Sequence, residues 1–356
     1  MSTNIFDYVK YYKDKTFDEI LFNQMDAFVY SILVYLPVKN FENGIRISEL
    51  SRYIDMENIR GAVGPIANEL LPIIENSKRY KHIRVFDFQK IVNDEVQFGA
   101  ATFRSNTKTF IAYEGTNSSV VGWVENFMLT SEYPTKTQVL AIEYINNSVN
   151  DEDTKIYVGG HSKGGNLAMT ASMECAENIF SRIEKIYNFD GPGFRKQEFE
   201  SEKYNRMAEK LENILPEGSL IGILMYNKNY QFIDADGVGF KEHYPTSWNT
   251  FGEFFIHAKQ GRSSKHIQES LYKSIEELKE EDVKKLLSAV IRFFIRNNIN
   301  NSSDIKNIKF DEFRALAKEI KDVDENTKKL FFDIVRVLIN PDNGEKNKKL
   351  LEGKDE

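Results

Sequence analysis

A chain of 356 residues, 41% of them apolar, can bury one large core and a small second unit. Its net charge of −7, with Lys and Glu interspersed, disfavours nonspecific nucleic-acid binding. The single cysteine, Cys175, excludes an intrachain disulfide, and no Cys/His cluster has metal-ligand spacing, so no metal or cofactor is expected.

The start of the chain, Met1 to Asp7, is mixed and acidic, without a basic-then-apolar leader, and a cytoplasmic protein is expected. Residues 16–77 read as helical cover for a sheet: Phe17, Ile20, Leu21 and Met25 recur at helical spacing, and Ile45 to Ile59 offers a second amphipathic run. The apolar stretch Ala27 to Leu36 is too short to span a bilayer and stops at Pro37, so it reads as a buried helix. From His82 the period becomes two. Strands are expected at 83–88, 96–100 and 109–113, and their short links suggest an antiparallel meander. Then the pattern alternates. A helix is expected at 120–129, a polar loop at 130–136 and a helix at 137–147. A strand at 154–159 and its helix follow, then a strand at 183–189, a charged helix up to Leu215 and a strand at 220–226. Such alternation argues for parallel crossovers with helices on both faces of the sheet. Two short strands should bracket the turn Asp236-Gly237, a better reading of Asp234 to Gly237 than a calcium loop, whose distal ligands are missing. After about Ser264 the chain is helical and charged, which divides it into residues 1–264 and a C-terminal helical extension, 265–356.

The stretch Gly160-His161-Ser162-Lys163-Gly164 carries the chemistry. A β-branched run leads in and a helix-forming run leads out, the strand–turn–helix context of a nucleophile elbow. Glycines flank the serine because strand and helix pass close together there. The first amides of the helix favour negative charge above the hydroxyl.

A serine nucleophile needs a base, a group that orients the base, and donors for the oxyanion. Of five histidines, His82 precedes the motif, His161 lies inside it, His257 sits in an apolar run and His266 opens the helical extension. His243, in a turn-rich loop beyond the last core strands, is the candidate base. Asp190 ends the strand after the motif, where α/β sheets build sites, and is the candidate acid; Asp234 and Asp236 are its rivals. Oxyanion donors are expected from the backbone of Thr116, in Tyr113-Glu114-Gly115-Thr116, and of Lys163. Cys175, on the helix after the motif, reads as a packed thiol.

These motifs resemble the class 3 (fungal-type) triacylglycerol lipases, which show an aromatic-Arg-Gly-Thr/Ser segment and a Gly-His-Ser-Leu-Gly-Gly turn. They are still more similar to an uncharacterised bacterial family of lipase-like α/β-hydrolases, in which Phe189 to Phe194 and His243 to Trp248 correspond to signatures. The resemblance covers roughly residues 1–260. It implies an α/β-hydrolase-type fold with a mixed, mostly parallel sheet, a Ser162-His243-Asp190 triad and no metal. Class 3 lipases take their acid from beyond the next strand, which keeps Asp234 and Asp236 open. Glu114 stands where lipases carry Arg and Lys163 where they carry Leu, and both are expected to put charge near the mouth of the site. That weighs against a long-chain triglyceride. Trp123 and Phe127 are expected to wall an acyl pocket, and the short polar loop after them is too poor in apolar area to act as a lipid-sensing lid. The function implied is a carboxylic-ester hydrolase acting on a small acyl ester or a lipid. The alternative is a hydrolase-fold binding or assembly protein that uses the helical extension as its partner surface.

Overall fold

A computed structural model describes residues 3–59, 63–93, 95–116, 128–237 and 239–276, together with part of 281–328. Helix α1 (Ile5–Tyr12) starts at a capping box made by Asn4 and Asp7, and α2 (Gln24–Leu33) at one made by Asn23 and Asp26. In each, the Asn side chain accepts orphan amides while the carboxylate three residues on returns to the cap. Strand β1 is Ile45–Arg46, and β2 (Arg84–Val92), β3 (Gln97–Arg104) and β4 (Thr109–Tyr113) follow it. Helix α3 (Lys136–Ser148) leads to β5 (Ile156–His161) and α4 (Lys163–Glu174). Then come β6 (Ile183–Phe189), α5 (Glu202–Ala208), β7 (Leu211–Pro216) and β8 (Tyr230–Ile233). A small hairpin, β9 (Thr250–Phe251) and β10 (Phe254–Phe255), precedes α6 (Arg262–Glu276).

Among the described residues, eight strands form one sheet in the order β1 to β8. The first four pair antiparallel, with short links joining β2, β3 and β4; β4 to β8 pair parallel, across helical connections up to β7 and across turns from β7 to β8. Successive side chains serve opposite faces. Phe110 and Ala112 pack with Phe28 and Ile32 of α2, while Ile111 and Tyr113 pack with Ala141 of α3 and Leu167 of α4. The architecture is therefore of the α/β-hydrolase type, a mixed sheet with helices on both faces.

Several expectations fail locally. Leu211–Pro216 is strand β7 rather than the end of a charged helix, which stops at Ala208. The residues expected as the last core strand, 220–226, form turns instead, because β8 takes the place beside β7. The Asp236-Gly237 turn runs into a 3-10 helix, Gly239–His243, and Ala235 bridges Trp248. Near the start, Ile45 pairs with Val85 as a strand, and a 3-10 helix, Ile47–Tyr53, replaces the expected amphipathic helix. Beyond residue 280, Leu286, Ala289 and Phe293 are buried, as are Leu316 and Ile320. Arg292 and Arg296 both reach Glu319 there.

Candidate active site

Ser162 stands between the end of β5 and the start of α4, with φ 59° and ψ −134°. For a residue with a Cβ such a conformation costs about 1–3 kcal/mol and needs the surroundings to enforce it. They do: the Ser162 N–H donates to Phe189 O at 2.9 Å, and the Gly165 N–H donates to Ser162 O at 2.9 Å. The approach of strand and helix is close, since a Cβ on Gly160 would lie 2.3 Å from the Gly164 carbonyl carbon.

Asp190 follows β6 in the left-handed region, at φ 53°, and is 0% exposed. Its Oδ2 lies 2.6 Å from His243 Nδ1. Its Oδ1 accepts the Gly222 N–H at 3.0 Å and the Ser219 hydroxyl. With Nδ1 donating to a carboxylate, a neutral His243 ring keeps its acceptor lone pair on Nε2. The backbone of His243 is held against the residue before Ser162: His161 Nε2 donates to His243 O at 2.8 Å. Burial, with His243 alongside, pushes His161 well below the usual histidine range, so it is a neutral strut. The Tyr35 hydroxyl lies 3.1 Å from both the other ring nitrogen and the main-chain O of His161, two acceptors for its one proton. On the far side of His243, Trp248 Nε1 donates to Glu242 O at 2.7 Å, and the Glu242 carboxylate accepts the Gly218 N–H at 2.7 Å.

The structure thus brings Asp190 onto His243 Nδ1. The rivals face elsewhere: Asn249 Nδ2 donates to Asp234 at 2.7 Å and to Asp236 at 3.1 Å, which ties that loop to the segment after Trp248. His82, His257 and His266 are exposed. Cys175 follows α4, and burial raises its thiol to about 12, as suits a packed side chain.

The segment Glu114 to Thr116 lies against the serine. A Cβ on Gly115 would come 2.9 Å from Ser162 Cβ and 2.5 Å from His161 O, so only glycine lets this backbone approach. The charges beside it are not at a mouth. Glu114 is 6% exposed and Lys163 1% exposed. Glu114 pairs with Lys90 at 2.8 Å, and Lys163 Nζ donates to Gln97 O at 2.8 Å. Burial raises the Glu114 carboxyl against the pull of Lys90 and Lys163, and burial lowers Lys90 against the pull of Glu114. The expectation of charge at the entrance is therefore overturned: buried ionic groups persist where partners compensate them, and here each has one. Sequence reasoning missed Tyr35, Lys90, Gln97 and Ser219, none of which sits in a motif. Trp123 and Phe127 lie outside the described residues. Among the described residues, no group of His, Cys, Asp and Glu is arranged to hold a metal ion.

Solved structures similar to the chain include two lipases. One is M37 lipase, at 14% identity and a TM-score of 0.36, over 57% of this chain and 70% of that one. The other is Lip2 lipase from Yarrowia lipolytica, at 14% identity and a TM-score of 0.27, over 50% of this chain and 72% of that one. No curated protein matches the sequence. The profile of one family matches residues 74–292, more than half of the chain, from the antiparallel meander through Ser162, Asp190 and His243. On that match, the chain belongs to the Mbeg1-like family.

Proposed function

We propose that the chain is a serine hydrolase that cleaves carboxylic esters through an acyl-enzyme. Ser162 Oγ attacks the acyl carbon while His243 Nε2 takes its proton. The tetrahedral intermediate collapses, the ester C–O bond breaks, and the imidazolium returns the proton to the leaving alcohol. Water then repeats the sequence on the acyl-enzyme and releases the acid. Asp190 holds the ring with Nδ1–H inward and stabilises the imidazolium. The backbone N–H groups of Thr116 and Lys163 receive the oxyanion, and the latter opens a helix whose dipole favours negative charge.

One observation carries this reading: a serine held at φ 59° between strand and helix, on the residue next to a strut that supports a histidine–aspartate pair 2.6 Å apart. Such strain on a residue with a Cβ has no purpose in packing alone. The lipase-like character of the Mbeg1-like family supports the same reading. With Glu114 and Lys163 buried, the argument against a long-chain triglyceride loses its basis, and the substrate class stays a small acyl ester or a lipid ester. The acyl pocket is assigned to Trp123 and Phe127 from the sequence. Residues 1–264 form the hydrolase unit and 265–356 the extension. No helix among the described residues is long and apolar enough to cross a membrane.

The test is hydrolysis of a p-nitrophenyl ester by the wild-type chain and by Ser162→Ala. Turnover by the wild type that vanishes in the variant supports the reading. Equal rates in the two proteins contradict it.

A further inference from the structure

Beneath the Glu114 to Thr116 segment lies a polar cluster that the proposed chemistry does not use. Gln97, the first residue of β3, is fully buried. Its Nε2 donates to Gly115 O at 3.2 Å, and its side chain also hydrogen-bonds the Glu114 carboxylate. Lys163 Nζ donates to its Oε1 at 3.1 Å and to its main-chain O at 2.8 Å. An ammonium group only donates, so it must meet Oε1 and not the NH₂. Lys163 therefore decides which way round the Gln97 amide stands. The NH₂ is left facing two acceptors, Gly115 O and the Glu114 carboxylate.

The Gly115 carbonyl and the Thr116 N–H belong to one peptide unit. That peptide is trans, so its C=O and N–H point in opposite directions. A carbonyl held on Gln97 aims the Thr116 N–H away from Gln97. Gly115 itself touches Ser162: its added Cβ would lie 2.9 Å from Ser162 Cβ. Tyr35 closes the other side, where the same Cβ would meet its hydroxyl at 2.1 Å.

We propose that Gln97 and Lys163 are positioning residues: the Lys163 ammonium fixes the Gln97 amide, and Gln97 holds the Gly115–Thr116 peptide so that its N–H is presented to the oxyanion formed at Ser162. The role of that N–H rests on the serine-hydrolase reading; the clamp does not. It gives the residue after the nucleophile two duties. Its backbone N–H serves the oxyanion directly, and its side chain sets the second donor through Gln97.

The test uses the full chain, Gln97→Met, Lys163→Met and the double variant. Neither change removes a backbone N–H. Three quantities are measured: the rate constant for phosphonylation by a fluorophosphonate, kcat and KM for p-nitrophenyl acetate, and hydrogen exchange of the peptide spanning residues 113–116. Each single variant should lose on the order of 10- to 100-fold in kcat and in phosphonylation rate, with little change in KM, as for a donor displaced by a fraction of an ångström. Exchange should quicken at 115–116 and stay slow in β6. The double variant should be no worse than Gln97→Met, because Lys163 acts through Gln97. Unchanged rates in a folded Gln97→Met, or effects of the two changes that multiply, overturn the proposal. If Gln97→Met does not fold, Lys163→Met decides: faster exchange at 115–116 with slower phosphonylation supports the clamp, and wild-type values for either overturn it. A wild-type chain that neither turns over ester nor takes phosphonate defeats the hydrolase reading instead, and the exchange of residues 115–116 in the variants still decides the clamp.

Discussion

Asp190→Asn is the sharpest perturbation of the site, because the surroundings dictate how the amide must sit. One carboxylate oxygen accepts the Gly222 N–H at 3.0 Å, and the other faces His243 Nδ1 at 2.6 Å. The Gly222 N–H is main chain and cannot turn into an acceptor. An Asn here must therefore keep its oxygen on Gly222 and aim its NH₂ at His243. Flipping it would set NH₂ against N–H in a site without solvent, at about 1–3 kcal/mol. With NH₂ facing it, Nδ1 has to accept, and the ring proton moves to Nε2. Nε2 can then no longer take the serine proton. The same substitution in serine-protease triads costs on the order of 10⁴ in kcat, equivalent to about 5 kcal/mol of barrier. The fold should persist, since only the tautomer changes. The assay is kcat for a p-nitrophenyl ester, with the melting temperature as control. Asp234→Asn and Asp236→Asn should each cost less than about tenfold, since their partner is Asn249. An active Asp190→Asn beside a crippled Asp234→Asn or Asp236→Asn would refute the reasoning.

Ser219→Ala removes one donor from Asp190 and leaves Gly222 in place, so kcat should fall by roughly tenfold, the value of one charge-assisted hydrogen bond, as read in the same ester assay. Arg79→Met strands the fully buried Asp26 carboxylate, 2.6 Å from its present partner, and should cost about 3–5 kcal/mol in urea unfolding; a loss below 1 kcal/mol would show that Tyr8 and Tyr80 suffice to hold it. Burial works to raise the Asp153 carboxyl, but Arg104, the Asn150 N–H and Thr109 outweigh it and hold it below its usual 3.8. A depressed acid stabilises above its unfolded value and loses that stability as pH falls through its folded one. Asp153→Asn should thus cost about 1 kcal/mol at pH 7 and progressively less below pH 4, a convergence that melting curves across that range would reveal or deny.

Much of the fold was legible because local signals agreed. Ile183–Phe189 forms a strand over its expected residues, since its β-branched run is closed by the Asp-Gly-Pro-Gly turn. The meander followed from short links. Leu211–Pro216 was not legible: a short apolar run after a charged helix fits either period, and only the pairing of Asn213 with Tyr230 on one side and Asn188 on the other makes it a strand. Residues 220–226 have strand composition, yet their backbone is used to bring Gly222 to Asp190 and to seat Tyr226 against Phe194. In the site, Ser162, Asp190 and His243 stood out because turn chemistry marks them. Gln97, Lys90 and Tyr35 carry no such mark, for their partners are distant in sequence. Charge at Glu114 and Lys163 was visible, but its burial was not, because a sequence does not display the partner that makes burial tolerable.

The central claim is that Ser162 is an activated nucleophile. Treatment of the wild-type chain and His243→Ala with a fluorophosphonate, followed by peptide mass spectrometry, tests it most directly. An adduct on Ser162 of the wild type, confined to that serine and lost in His243→Ala, is the result the account predicts. A folded wild-type chain that carries no adduct at Ser162, or labels equally without His243, would contradict it.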